Sequence, residues 1–409
     1  MITVVGIGAD GWRGLTERAR AAIEAAELIV GSGRQLALIP ETGAERRTWP
    51  SPMTPLLDEL ATGDVERVCV LASGDPMLHG VGATLARRLG PGRLTVIPHP
   101  SAFAIACARL GWSEAETELV SAVAHPAEVL AAALQPGRRI VAYVTGVYGA
   151  AEIARVASER GYGPSRLIVL EELGGERERI VDSTAAQWGR RPAAELHCVA
   201  VECRPEPTAP LLPRIPGLPD EAFESDGQLT KREVRAIALA SLAPVPGQLL
   251  WDVGSGSGSV AIEWMRTDPS CRAIAVEARA DRAERIRRNA LRLGVPSLEV
   301  VHGRAPAALA DLKAPDAIFI GGGLTEEGLL DRCLAALRPG GRIVANAVTL
   351  EGERILYRAL AQHGGKLVRL EVGDAEPLGE FTAWRARRPV IQWSARRHAV
   401  ISEGETGSP

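Results

Sequence analysis

Between Arg204 and Pro219 the chain runs RPEPTAPLLPRIPGLP, with six prolines in sixteen residues. Proline lacks the backbone N–H that a helix interior or a central strand needs, so neither element can cross this stretch. The segment reads as an extended, semi-rigid linker, residues 205–221, dividing the chain into two domains, 1–204 and 222–409. The length, 409 residues, fits that division, because single hydrophobic cores usually stop growing well below it.

Each half alternates apolar, strand-like runs with amphipathic, helix-like ones. The first half gives ITVVGIG, LTERARAAIEAAELIVG, RVCVLAS, GVGATLARRLG, RLTVIPH, SAFAIACARLG, RIVAYVT, AAEIARVASERG, RLIVLEEL and ELHCVAVEC. After the linker the alternation restarts with REVRAIALASL, GQLLWDVG, SVAIEWMR, RAIAVEA, RAERIRRNALRLG, LEVVHG, DAIFIGGG and EEGLLDRCLAALRPGGRIVANAV. Strands alternating with helices predict an α/β protein with largely parallel sheets. No residue-level repeat links the halves.

Composition excludes several classes of function. A net charge of −3 offers no bulk attraction to nucleic acid or to an anionic membrane. No apolar run reaches spanning length and no signal-peptide pattern precedes ITVVGIG, so the expectation is a soluble, cytoplasmic protein. The six cysteines, at 69, 107, 198, 203, 271 and 333, form no CxxC pair, and no metal site is expected. Only Lys231, Lys313 and Lys366 are lysines among 47 basic residues. Compositional bias explains most of that skew. A functional reading remains, since arginine's paired donors suit carboxylates. The polar end of SARRHAVISEGETGSP, its last eight residues or so, is expected to be disordered.

The chemistry is densest at WDVGSGSGSVAIEW, residues 251–264. Gly254, Gly256 and Gly258 alternate with Ser255 and Ser257 between a strand-like and a helix-like run. Glycines there let backbone N–H groups approach a nucleotide-like ligand. Glu277, ending the next strand, offers two acceptor oxygens to a ribose diol. Asp252 separates the candidate ligands. Its carboxylate repels a pyrophosphate and attracts the ammonium end of S-adenosylmethionine (SAM), which favours SAM over a nicotinamide dinucleotide.

The ordered motifs DGQLTKREVRAIALASL, WDVGSGSGSVAIEW, AVEA, HGRAP, DAIFIGGG and ANAVTLE resemble the decarboxylating precorrin methyltransferase domain of cobalamin biosynthesis. That resemblance implies a Rossmann-like, class I SAM methyltransferase fold, with Thr230, Gly254 to Gly258, Glu277 and Ala305 lining the SAM site. Where methyltransferases often place an acid beside the adenine, this chain has Arg304. It is a candidate for a substrate carboxylate, with an unemployed surface arginine as the plain alternative. Asn346 and Glu351 are candidates to orient substrate, or else cap a helix or face water.

In the first half VVGIGADG, VGSGRQL, LASGDPMLHGVG, VTG and GYGPSRLIVLEELGGERERI resemble the tetrapyrrole methylase family, closest to its precorrin C5-methyltransferase type. This implies two α/β subdomains with SAM folded between them, near Gly8, Ser73, Gly74, Asp75, Pro76, Ser101 and Ala102, with Thr145 a further candidate. His79 and His99 are acid–base candidates against a structural or solvated role. Together the halves resemble a bifunctional precorrin methyltransferase family. The resemblance implies one SAM per domain, methylation at C5 and C15 of a tetrapyrrole, and loss of CO2 from the C12 acetate. A homo-oligomer is expected. The rival readings are a SAM methyltransferase for another substrate, a nicotinamide oxidoreductase and a nonenzymatic binding module.

Overall fold

In the computed structural model, which describes residues 2–63 and 66–397, the chain divides into two units, Met1–Pro210 and Leu211–Pro409. The expected disordered tail lies outside the described residues. No helix among them is long and apolar enough to cross a membrane. All six cysteines are buried and free, and no described group of His, Cys, Asp and Glu is placed to hold a metal ion.

The first unit contains two sheets. Aliphatic runs form one all-parallel sheet in the order Glu45–Thr48, Leu28–Gly31, Val68–Ser73, Ile2–Ile7, Leu94–Ile97. Its central strands are buried on both faces, which is why they read as continuous apolar runs rather than alternating ones. The run LTERARAAIEAAELIVG, helix-like throughout by sequence, instead splits into the helix Glu17–Glu24 and the strand Leu28–Gly31. All four residues of that strand are buried between neighbours, and β-branched Ile29 and Val30 suit the pleated surface.

The second sheet runs Thr117–Ser121, Arg139–Tyr143, His197–Glu202, Arg166–Glu171, Arg179–Thr184, and only its first pair is parallel. Here the largely parallel expectation fails. The connection from Glu171 to Arg179 is too short for a crossover helix, so those strands pair antiparallel.

The second unit is built on a seven-stranded sheet: Glu299–His302, Arg272–Glu277, Leu249–Val253, Ala317–Ile320, Arg342–Ala347, Val390–Arg396, Lys366–Leu370. The first five are parallel, and Val390–Arg396 pairs antiparallel with both Arg342–Ala347 and Lys366–Leu370. A separate hairpin pairs Gly373–Leu378 with Phe381–Ala386.

The proline-rich segment is tied down at both ends. Glu206 N–H bonds Gly161 O at 2.7 Å within the first unit. In the second unit Gly217 and Leu218 donate to the Glu263 carboxylate at 2.6 and 3.0 Å. Glu263 is also held by the fully buried Arg235 at 2.6 Å, and Arg235 reaches Asp220 at 3.1 Å and the Thr230 carbonyl. This network fixes residues 217–231 against the helix Ser259–Thr267.

Candidate functional site

In the second sheet-bearing unit, the chain leaves Leu249–Val253 toward Arg272–Glu277 on one side and leaves Ala317–Ile320 toward Arg342–Ala347 on the other. Adjacent parallel strands whose connections part in this way open a crevice at their carboxyl ends. A cleft of about 1100 Å³ lies there. Gly254, Ser255, Gly256, Glu277, Thr230, Arg304, Ala305 and Asn346, all singled out by sequence, line it.

The glycines are required by geometry. Gly254, Gly256 and Gly258 have φ of +68, +62 and +77°. A Cβ on Gly254 would stand 2.5 Å from Gly322 O, and one on Gly258 would stand 2.8 Å from Ile286. Two glycine loops thus meet backbone to backbone across the crevice. Gly254→Ala is therefore expected to cost about 1–3 kcal/mol of stability through left-handed strain, with the clash added. Denaturant unfolding of the full chain measures it, and an unmoved midpoint would contradict the packing described.

Glu277 is 5% exposed and lines the cleft. One carboxylate oxygen accepts Gly256 N–H at 2.9 Å and the other Arg279 N–H at 3.0 Å. Asp252 sits beneath the turn rather than in the lining. Its Oδ2 accepts Ser255 Oγ–H at 2.7 Å and Ala261 N–H at 3.1 Å. The helix Ser259–Thr267 begins after Gly258, which has no side chain to cap it, so Asp252 caps it from the neighbouring strand. Its Oδ1 is buried without a hydrogen-bond partner. Burial first, then the nearby Glu277 charge, push the Asp252 carboxyl up to about 6.

Ser257 turns away and donates to Gln228 O at 3.0 Å, drawing the segment before Thr230 over the turn. Fully buried Asn289, which sequence reasoning missed, ties the Ser257 carbonyl to Glu224. Its only signal was its place on the buried face of RAERIRRNALRLG.

The substrate candidates separate. Arg304 is paired with Glu326 through two hydrogen bonds, at 3.2 and 2.6 Å. Asn346 lies at the end of its strand in the cleft lining, and its Oδ1 is buried without a partner. Glu351 is exposed in the first turn of the helix Leu350–His363, outside the lining.

The first unit repeats the crevice logic. The connections of Ile2–Ile7 and Val68–Ser73, adjacent strands, leave in opposite directions. A Cβ on Gly6 would lie 2.2 Å from Gly74 O, and Gly74, at φ +56°, approaches Ser101 Cα. Gly8, Ser73 and Gly74 therefore gather at one end of the sheet with Ser101, which caps the helix Ala102–Leu110 through Ala104 N–H. Asp75 closes its own loop by accepting Met77 N–H at 2.7 Å, and Pro76 is buried.

His99 Nε2 lies 3.3 Å from Asp10 Oδ1, and both side chains crowd Gly8. His79 is exposed, edge-on to Tyr143, and Thr145 is exposed beyond its strand. Sequence reasoning missed Arg34 and Gln35, which donate to Ser73 Oγ at 2.8 and 3.0 Å, although their motif VGSGRQL was in view. It also missed Tyr143, whose hydroxyl accepts Phe103 N–H at 2.9 Å and is pushed up by burial.

Two family models match the chain: Tetrapyrrole (Corrin/Porphyrin) Methylases over residues 1–188, and Precorrin methyltransferase domain over 221–397. A precorrin-6Y C(5,15)-methyltransferase [decarboxylating] from Sinorhizobium sp. is 44% identical, covering 96% of this chain and 95% of its own length. Relatives of half the length match as well. The probable cobalt-precorrin-6B C(15)-methyltransferase (decarboxylating) of Pyrobaculum calidifontis is 36% identical over 43% of this chain and 93% of its own. The cobalt-precorrin-7 C(5)-methyltransferase of Salmonella typhimurium is 34% identical over 44% of this chain and 89% of its own. With two glycine-lined crevices on one chain and a relative that matches it nearly end to end, the chain belongs to the precorrin-6Y C(5,15)-methyltransferase (decarboxylating) family.

Proposed function

We propose that the second unit methylates C15 of a reduced precorrin-6Y and releases CO2 from its C12 acetate, that the first unit methylates C5, and that each unit binds its own SAM. The observation that carries this reading is the crevice at Gly254–Gly258. There the backbone is bare enough for close approach, Glu277 ends the adjacent strand, and both nearby acids favour a cationic ligand over a diphosphate. The half-length relatives support a division of labour, since their names carry C(5) and C(15) methylation separately.

When bound, SAM supplies an electrophilic methyl group on a sulfonium. The protein's part is alignment. The Cβ-free backbone of Gly254 and Gly256, whose N–H groups are already used by Val276 O and Glu277, lets the cofactor approach closely. Glu277 and the Ala305 backbone hold that end of the cleft, and Thr230 and Gln228 cover it. Asn346, with a desolvated acceptor oxygen, orients the second reactant from the end of its strand. Correct alignment is worth about 7–11 kcal/mol of barrier, so a site without an acid–base triad suffices for attack by an enamine-like carbon. When CO2 leaves, the bond's electrons pass into the conjugated macrocycle and a proton later replaces the carboxyl group. We also take the chain to associate with further copies of itself; Leu378, Phe381 and Trp384, exposed on the hairpin, support that reading.

Incubating the full chain with methyl-labelled SAM and reduced precorrin-6Y tests the proposal. Two labelled methyl groups and one CO2 per macrocycle are expected. Binding of nicotinamide dinucleotide in preference to SAM, or methylation without CO2, would overturn it.

A further inference from the structure

The cleft extends beyond what the cofactor-binding turn accounts for. Past Asn346 its wall changes character, to Val348, Leu370, Val372 and Val390, all aliphatic. Leu370 and Val390 are cross-strand partners, and Arg387 N–H bonds Val372 O at 2.9 Å, so this wall arises where the antiparallel strands give way to the hairpin. Val348 is 58% exposed within it.

Three arginines follow on the same rim, and they differ in what already neutralises them. Arg385 bonds Glu376 at 2.9 Å. Arg387 is held by both Asp374 oxygens and by Glu233 at 2.8 Å. Arg388 lines the cleft, is exposed, and has no hydrogen bond or ion pair from its guanidinium among the described residues. Arg304, the cation the sequence nominated, is already matched by Glu326.

Resting on the function proposed above, we infer that this aliphatic wall with Arg388 at its rim is the macrocycle compartment of the C15 site, and that Arg388 clamps a peripheral carboxylate of the substrate. A precorrin presents an apolar ring edged with carboxylates, and the compartment presents apolar side chains edged with one uncommitted guanidinium. Arginine suits the task because its fork meets a carboxylate with two parallel N–H donors. Arg387, locked to Asp374 and Glu233, holds the hairpin in register with the helix Arg232–Leu242 so that Arg388 faces the cleft. Arg388 is a substrate-binding residue without a part in proton transfer.

Kinetics of the full chain, with the C5 and C15 methylations followed separately, test the inference. Arg388→Gln is expected to raise KM for the C15 step about tenfold or more, with kcat changed far less, because one charge-assisted bidentate contact is lost. Arg388→Lys should recover part of that loss. SAM affinity by calorimetry and C5 methylation should not move in either variant. An unchanged KM for the C15 step in Arg388→Gln overturns the compartment, as does a loss of SAM affinity. Failure of the wild-type chain to methylate the precorrin at all overturns the proposed function and this inference with it, an outcome visible before any variant is made.

Discussion

Replacing Glu263 with alanine is expected to destabilise the second unit by about 3–5 kcal/mol, the usual cost of removing one partner from a buried ion pair. Arg235 is fully buried and Glu263 is 2% exposed, so neither charge can turn to water once the other is gone. The loss is more than one ion pair. The Gly217 and Leu218 N–H groups also lose their acceptor, and each buried donor left without a partner carries its own desolvation cost. Arg235 keeps Asp220 and the backbone carbonyls of Leu218 and Thr230, which keeps the loss finite. Because Thr230 and Gln228 sit on the segment this network holds, SAM binding in this unit should weaken with stability. Calorimetric unfolding of the full chain should show one transition displaced downward and the other unmoved. Glu263→Gln, which retains an acceptor for Arg235, should cost less. Equal stability of Glu263→Ala and wild type would remove the network from the account.

Asp252→Asn is expected to act in opposite directions on the free and the bound protein. The folded-state carboxyl is raised from 3.8 to about 6, so the native state binds a proton more tightly than the unfolded state does. Stability from this group is fully present below about pH 4 and is lost as pH rises through about 6, so near neutrality the charged form burdens the fold by up to about 3 kcal/mol. Asparagine removes that charge, and the free protein should gain about 1–3 kcal/mol near pH 7 while losing the decline between about pH 4 and 6. A cationic ligand reverses the preference by favouring the ionised carboxylate. Wild-type SAM affinity in this unit should therefore rise between about pH 5 and 7, and Asp252→Asn should bind more weakly without that rise. Calorimetry across this range decides the matter. Equal, pH-independent affinity in both proteins would show that the acid only caps the helix.

These two residues also mark how far the sequence could be read. Asp252 was legible as an acid beside a glycine turn, and its charge suggested the ligand. That its Oδ2 caps the following helix while Oδ1 is left unpartnered depends on the strand and helix packing together. Glu263 was invisible. In SVAIEWMR it occupies an ordinary position for a solvated acid, and only the return of Gly217, Leu218 and Arg235 onto that helix makes it a buried hub. Arg304 and Arg388 show the same limit from the other side. Both are arginines in polar surroundings, and nothing local reveals that Glu326 has engaged one and left the other uncommitted.

The sequence alone determined that this chain has two α/β halves, because proline density and apolar periodicity act through neighbouring residues. It also located both glycine turns, since a left-handed backbone and the absence of Cβ are written in residue identity. Tertiary structure decided the strand orders that open each crevice, the antiparallel half of the second sheet, and the partners of each buried charge. Those depend on contacts between residues far apart in the chain, and burial energy, which no local pattern encodes, selects among them.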